Sequence, residues 1–461
     1  MKNLLKALLP LFLCLCLLIS CTDTVQPSSV DEPDVESESE SESEPAPTAA
    51  ELYEPFEPVL RFVVCSDVHI GISMDCVEAA RFTDLINASY AYADAQESYK
   101  ALDALVLVGD LTTDGEVNAY RNIKTILNDN LREETQFISM LGNHEHYGNA
   151  KAFSFVLNQQ NNSHNVINGY HFIAVSPDIP SNEYSDDVVS WLNTELAAAA
   201  ADAPDKPIFT FQHHHLHDSV YVSNDWGTSS TPGLRSAYGA YPQVINFSGH
   251  SHGPINHPRT VWQDDFTMIG TGTLSYFSME EDGVCNRTPY EEAAQFSIVE
   301  VNADNVVKVM PYNLRTGDFM KTPSNTDDAD TQLVYYIPIT GNKDDFVYTA
   351  AQYETASAPY FAEDAVITVS DVTANGATVS VPQAYDDSCV YCYTFAYADA
   401  AGNGGSIVLS SEYCHEPLCE SIGYAIPDLT PATEYTVTVT PVNVWKVEGT
   451  PITVTFTTAA E

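Results

Sequence analysis

From residue 59 onward, short apolar runs alternate with longer stretches whose apolar positions recur at helical spacing. The run "VLRFVVCSD" precedes an amphipathic stretch from about Cys76 to Lys100, and "ALVLVGD" follows it. The theme recurs with "EVNAYRNIKTILNDNL" before "QFISMLGN", and with "SDDVVSWLNTELAAAA" before "PIFTFQHHH". Strand, helix, strand recurrence predicts an α/β sheet with covered faces. Further strands are predicted at "YHFIAVS", "PQVINFSGH", "FTMIGTGTL" and "FSIVEVNADNVVKVMPYNL". Residues able to hold metals or carry protons sit repeatedly at the carboxyl ends of these runs, where open α/β sheets gather their sites.

From about residue 346 the helical patterns stop and Thr/Val alternation takes over. In "LTPATEYTVTVTPVN" the side chains of Tyr435, Val437 and Val439 point one way, and those of Thr436, Thr438 and Thr440 the other. That pattern predicts half-buried strands in an all-β antiparallel sandwich. At the other end, Lys2 and Lys6 precede the apolar "LLPLFLCLCLLIS", which reads as an export signal rather than a core segment. Residues 22–58 are rich in Ser, Pro and Glu with few apolar side chains, so they are expected to form an acidic, disordered linker. The expected segments are therefore 1–21, 22–58, 59–345 and 346–461, in keeping with a chain of 461 residues, which is too long for one ordinary domain.

Charge changes the picture most. The 64 acidic residues against 18 basic give a formal −46, which disfavours nucleic-acid binding through a basic patch. With so few Lys and Arg, an anionic substrate needs another local source of positive charge, and a bound divalent metal is the simplest.

Five short motifs fall in order between residues 59 and 260: "SDVH" (Asp67, His69), "VGDLTTDG" (Asp110), "GNHE" (Asn143, His144), "FQHHH" (His213, His214, His215) and "GHSH" (His250, His252). Each alone is weak. Neutral imidazoles mixed with hard oxygens suit two nearby divalent cations that keep positions open for water and substrate. One carboxylate with two oxygens can serve both metals, and Asp110 is the natural candidate. Asn143 would add a ligand oxygen without adding negative charge.

Taken together, and each following a predicted strand, the motifs resemble the calcineurin-like metallophosphoesterase family over about residues 59–340. The resemblance implies a β-sandwich flanked by helices, with two divalent metal ions (Mn, Zn or Fe). The first would take Asp67, His69, Asp110 and His252; the second would take Asp110, Asn143, His250 and one of the 213–215 histidines, His213 with His214 left open. It implies hydrolysis of a phosphate mono- or diester by a metal-bridged hydroxide. His144 would be the catalytic histidine beside the metals, stabilising the phosphoryl group or protonating the leaving oxygen. Glu145 is expected to orient a neighbour, and His146, His217 and His257 to be solvated loop residues. Thr113 stands where the related purple acid phosphatases carry a Tyr ligand, which argues against a ferric-tyrosinate centre. A small soluble phosphate ester is the expected substrate.

Two further resemblances complete the reading. "LISC" resembles a bacterial lipobox, which implies lipidation of Cys21, a lipid anchor in the cell membrane and an extracytoplasmic location. "LTPATEYTVTV" and "ITVTFTTA" resemble fibronectin type III domains, although Val381 stands where that family usually has Trp. Such a domain could engage a surface protein or glycan, and the rival reading is a non-catalytic adhesion lipoprotein. Cys389, Cys392, Cys414 and Cys419 could be a zinc set, but disulfides are expected in an exported protein. Cys389 and Cys392 are expected to face opposite sides of their strand. Cys65 is expected to be an inert buried thiol.

Overall fold

The computed structural model describes residues 48–179, 181–228, 232–278, 293–326 and 331–461. The signal segment, Cys21 and most of the acidic linker lie outside the described residues. Among the described residues, no helix is long and apolar enough to cross a membrane.

Two sheets face each other in the first part. The first runs Asp318–Phe319, Val307–Asn313, Gln295–Asn302, Pro58–Cys65, Ala104–Val108, Gln136–Met140, with Tyr335–Ile337 also paired to Val307–Asn313. The second runs Val261–Gln263, Thr267–Gly270, Val244–Ser248, Ile208–Gln212, Tyr170–Val175, Ser163–Ile167. Pro58–Cys65, Ala104–Val108 and Gln136–Met140 are parallel, as are Tyr170–Val175, Ile208–Gln212, Val244–Ser248 and Thr267–Gly270. Phe62 of the first sheet lies 4.9–6.3 Å, ring to ring, from Phe172, Phe209, Phe211 and Phe247 of the second.

Burial on both faces explains why the strands read as continuous apolar runs. In Pro58–Cys65, Leu60, Phe62 and Val64 point between the sheets, whereas Val63 and Cys65 point toward the helices. Helices Val77–Ala95 and Val117–Asn130 cover that outer face with Phe82, Leu85, Tyr120 and Ile123. Helix Asp186–Asp202 covers the second sheet with Val188, Leu192 and Leu196. It starts where Ser185 accepts from the Val188 amide, and Asp186 and Asp187 suit the positive end of its dipole.

The C-terminal part is an all-β sandwich of three and four antiparallel strands. Val379, Val381 and Ile422 of one sheet meet Tyr393, Phe395, Val437 and Val439 of the other. The Tyr435 hydroxyl accepts from the Thr430 amide at 3.1 Å.

Three expectations are corrected. The disordered linker was expected to reach residue 58, yet Ala49–Tyr53 is a helix. Thr48 and Glu51 cap it reciprocally, Tyr53 stacks on Tyr336 at 5.5 Å, and Glu54 accepts from Lys308 and Tyr336. Low local hydrophobicity is offset there by contacts distant in sequence. The expected disulfides are not formed at Cys389 and Cys414, which are free thiols, as are Cys65 and Cys76. Cys389 and Cys392 do not part to opposite faces but join one apolar cluster, because a bulge between Val390 and Cys392 resets the alternation.

That cluster is the seam between the two parts. Tyr221, Val222, Phe277 and Ala293 pack there with Tyr391, Cys392, Tyr413, Cys414, Val444 and Trp445. Asn256 donates to the Tyr413 carbonyl (2.8 Å), and Glu416 accepts from Asn313 (2.9 Å) and from the Lys321 amide (3.0 Å). Thr48–Glu461 forms one compact unit. The protein is therefore expected to melt in one cooperative transition, with Tyr391→Ala lowering stability by about 3 kcal/mol through loss of a buried aromatic side chain. Calorimetry checks this, and two well-separated transitions would contradict it.

Candidate metal centre

Because the strands carrying them are parallel, five turns arrive at one rim of the two sheets. Asp67 and His69 follow Pro58–Cys65, Asp110 follows Ala104–Val108, and Asn143 follows Gln136–Met140. From the facing sheet, His213 follows Ile208–Gln212, and His250 and His252 follow Val244–Ser248. Asp67, His69, Asp110, His250 and His252 all have left-handed backbone, with φ of 52°, 53°, 47°, 75° and 53°. For non-glycine residues this costs on the order of 1–2 kcal/mol each, so surrounding bonds must hold them. The Asp67 amide donates to the Gly109 carbonyl (3.2 Å), the His69 amide to that of Asp110 (3.0 Å), and the Gly249 amide to that of His213 (2.9 Å). Two glycines leave the needed room: a Cβ on Gly142 would collide with Asp110, and one on Gly109 with the His213 ring.

The side chains form two overlapping groups. Asp67, His69, Asp110 and His252 bring one ligand atom each within 4.8 Å of one another, and so do Asp110, His213 and His250. Asp110 belongs to both. Its Oδ2 lies 3.2 Å from His213 Nε2, 3.8 Å from His144 Nε2 and 3.9 Å from His69 Nε2. Asn143 Oδ1 is 3.1 Å from His213 Nε2, Asp67 Oδ1 is 3.2 Å from His252 Nε2, and the Nε2 atoms of His69 and His252 are 3.1 Å apart.

The donor set fits divalent cations, and the direction of the lone pairs is the reason. His213 Nδ1 donates to the Val108 carbonyl (2.8 Å), and His252 Nδ1 to that of Tyr276 (2.9 Å). Each neutral ring therefore turns an Nε2 lone pair toward oxygens that can only accept. Converging lone pairs repel unless a cation lies among them. The titration behaviour agrees: burial pulls the His213 pKa down, but Asp110 and Asp67 raise it to about 9. Burial likewise opposes the charged form of His252, and Asp67 raises its pKa. A proton on these rings balances the charge that a metal would balance. Burial acts to raise the pKa values of Asp67 and Asp110, yet His252 and His213 respectively hold both well below the usual carboxylate range.

Residues 60–254 match the family described as calcineurin-like phosphoesterase. Those residues carry a calcineurin-like phosphoesterase domain. A Rhodococcus erythropolis protein named "Probable cyclic nucleotide phosphodiesterase" is 30% identical over 161 residues, which cover 32% of this chain and 50% of that relative. The chain thus spans about half the length of the curated relative it matches. Among solved structures, an fn3 domain of human contactin 1 is 17% identical, covers 23% of this chain and 85% of its own, and has a TM-score of 0.18. An FN3 domain of human collagen XX is 22% identical over 22% of this chain and 93% of its own, with a TM-score of 0.16. Scores that low carry no weight for this chain.

Around this cluster, other side chains hold the turns that carry it. Glu145 is buried and accepts from the Gly142 amide (2.7 Å) and from the amide and hydroxyl of Thr112 (both 2.9 Å), tying the Asn143 turn to the Asp110 turn. Burial, then the charge of Asp110, push its carboxyl up to about 7. His144 donates from Nδ1 to the Thr113 carbonyl (2.7 Å), and its amide donates to Asp110 Oδ1 (2.9 Å). Of the three consecutive histidines, His213 faces Asp110 and Asn143. The His214 ring lies tilted 4.6 Å from that of His250 and edge-on 5.8 Å from that of Tyr184, while His215 is buried between the hydroxyls of Ser248 (2.7 Å) and Ser251 (2.6 Å).

His257 is not a solvated loop residue. It is buried, stacks on Tyr221 at 3.8 Å, and accepts from the Arg259 amide at 2.9 Å, because the C-terminal sandwich covers its loop. His217 is exposed and His146 partly so. Sequence reasoning missed Ser66, which donates to Asp67 and to the Gly272 carbonyl, and Thr273, beside His252. Their residue types carry no signal, since serine and threonine are common in turns.

Cation binding must displace protons from His213 and His252, so affinity for Mn²⁺ or Zn²⁺ is expected to rise as pH increases from 6 toward 9. Titration calorimetry in buffers of different ionisation enthalpy reads the protons released, and a buffer-independent heat would contradict the scheme. Gly142→Ala should abolish cation binding while the far-ultraviolet circular dichroism is kept.

Proposed function

We propose that the chain hydrolyses phosphate esters, mono- or diesters of small soluble alcohols, at the rim where the two sheets meet. The observation that carries this reading is Asp110, shared by both side-chain groups, with His144 Nε2 held beside it. Asp67, His69, Asp110 and His252 would hold one divalent cation, and Asp110, Asn143, His213 and His250 a second. Bound there, such ions would supply Lewis-acid charge for the phosphoryl oxygens and an acidified water as nucleophile. Asn143 keeps the second position less negative than a carboxylate would. The hydrogen bond from Nδ1 to Thr113 fixes the His144 ring, and only its imidazolium form, which carries a second proton on Nε2, can give that proton to the departing oxygen and remain neutral afterwards. Glu145 keeps the Asn143 and Asp110 turns in register. Because the R. erythropolis relative is named for cyclic nucleotides, these are the first diesters to test.

The first 58 residues support the wider proposal of a lipid-anchored protein outside the cytoplasm, with Cys21 as the lipidated residue. We read the C-terminal sandwich as fibronectin type III-like; its three-plus-four strand division and the Tyr435 to Thr430 bond support that reading.

With Mn²⁺ or Zn²⁺ present, turnover of nitrophenyl phosphate, bis-nitrophenyl phosphate or a cyclic nucleotide is expected, and Asp110→Ala or Asn143→Ala should abolish it. His144→Ala should lower kcat about 100-fold or more on esters with alkoxide leaving groups and less on nitrophenyl esters, whose leaving group needs no proton. Equal, metal-independent rates in the wild type and the variants would end this reading.

A further inference from the structure

Three large aromatic side chains stand around the centre, and each touches a different histidine of it. Tyr147 lies 4.8 Å, ring to ring, from His144; Trp226 lies 5.5 Å from His250; and Tyr276 stacks on His252 at 4.0 Å and lies 6.0 Å from His69. They come from separate segments: the turn His144–Tyr147, the turn Ser223–Trp226, and the loop that follows Thr267–Gly270. All three are exposed, at 66%, 38% and 42% of their surface. Apolar rings are ordinarily covered, and none of these belongs to any of the five apolar clusters among the described residues.

The Tyr147 side chain is held in place, and so is the main chain that carries the other two rings. The Tyr147 hydroxyl accepts from Asn143 Nδ2 at 3.2 Å. Tyr276 is fixed through its carbonyl, which accepts from His252 Nδ1. The Trp226 amide donates to the carbonyl of Val222 (3.0 Å), a buried residue of the seam. A ring held before a ligand arrives, as that of Tyr147 is, loses little freedom when the ligand binds.

The charges nearby point the same way. Arg235 is taken up by the His217 carbonyl and Asp264, and Arg81 donates to the carbonyls of Leu274 and Ser275, just before Tyr276. Among the described residues, Tyr147, Trp226 and Tyr276 add exposed ring surface beside the centre.

We propose that Tyr147, Trp226 and Tyr276 form a rim that takes a planar aromatic group, so that the preferred substrates are phosphate esters carrying a nucleobase or an aryl ring rather than a purely aliphatic alcohol. This inference rests on the phosphoesterase reading above. Stacking on aromatic side chains suits any flat π-surface and tolerates differences in sequence and substituent. Nucleobase and aryl ring share that chemistry, and the substrates below separate them.

The test uses the full chain with Mn²⁺ and matched pairs whose leaving alcohols react alike: the 5′-phosphate of adenosine against ribose 5-phosphate, and benzyl phosphate against butyl phosphate. Each is offered as the monoester and as its methyl diester. The aromatic member of each pair should have kcat/KM higher by about tenfold or more, mainly through KM. Trp226→Leu, Tyr276→Leu and Tyr147→Leu should each shrink that ratio. Quenching of tryptophan fluorescence by adenosine monophosphate should weaken in Trp226→Leu, a readout independent of turnover. A preference in the adenosine pair alone assigns the rim to nucleobases, and a preference in both pairs assigns it to aromatic rings in general. Equal kcat/KM within both pairs, or ratios unchanged in all three variants, overturns the rim and leaves the phosphoesterase reading standing. Absence of turnover on every ester overturns both.

Discussion

Two carboxylates, Asp67 and Asp110, are buried at the same rim, and the local structure is arranged around keeping both ionised there. Like charges withdrawn from water are tolerated only with compensating positive charge. The fold delivers that charge by aiming imidazoles from the facing sheet at them, with His213 and His252 pre-set by carbonyls on their far nitrogens. The phenylalanine contacts between the sheets set the distance across which this works. Parallel pairing in both sheets puts every turn that carries these side chains at the same end.

Much of this was legible in the chain. The strands that matter are covered on both sides, so they appear as unbroken apolar runs, and polar residues at their ends stand out by contrast. The histidines, aspartates and Asn143 are chemically distinctive and sit at those ends. What holds them was not legible. A left-handed backbone at Asp67 or His250 depends on acceptors far away in sequence, the Gly109 carbonyl for the first and the Asp67 carboxylate for the second. Likewise, the glycines at 109 and 142 look like ordinary turn residues until the neighbouring side chain that crowds each one is located. Among three adjacent histidines, residue type could not separate the ring facing Asp110 from the one clamped between Ser248 and Ser251. That difference comes from where the strand stops pairing.

The seam was hidden for a similar reason. The change from mixed helical and strand periodicity to Thr/Val alternation marks a real change of architecture, but periodicity describes each part's internal packing and nothing between them. Tyr221, Tyr391, Tyr413 and Trp445 each look, alone, like an aromatic on a strand or loop. Together they fasten the sandwich to the segment that leads into Trp226 and to the loop that leaves His252. The same distant packing orders the helix at 49–53, which its own composition would leave unfolded.

Cys389, Cys392 and Cys414 lie inside that seam, and burial pushes the thiols of Cys389 and Cys414 up, far from the thiolate form. While the seam is shut they are poor nucleophiles. In an oxidising medium, a momentary opening would expose several sulfurs at once, and cross-links formed then would trap the chain open. Lifetime in such a medium is therefore governed by how often the seam opens rather than by equilibrium stability.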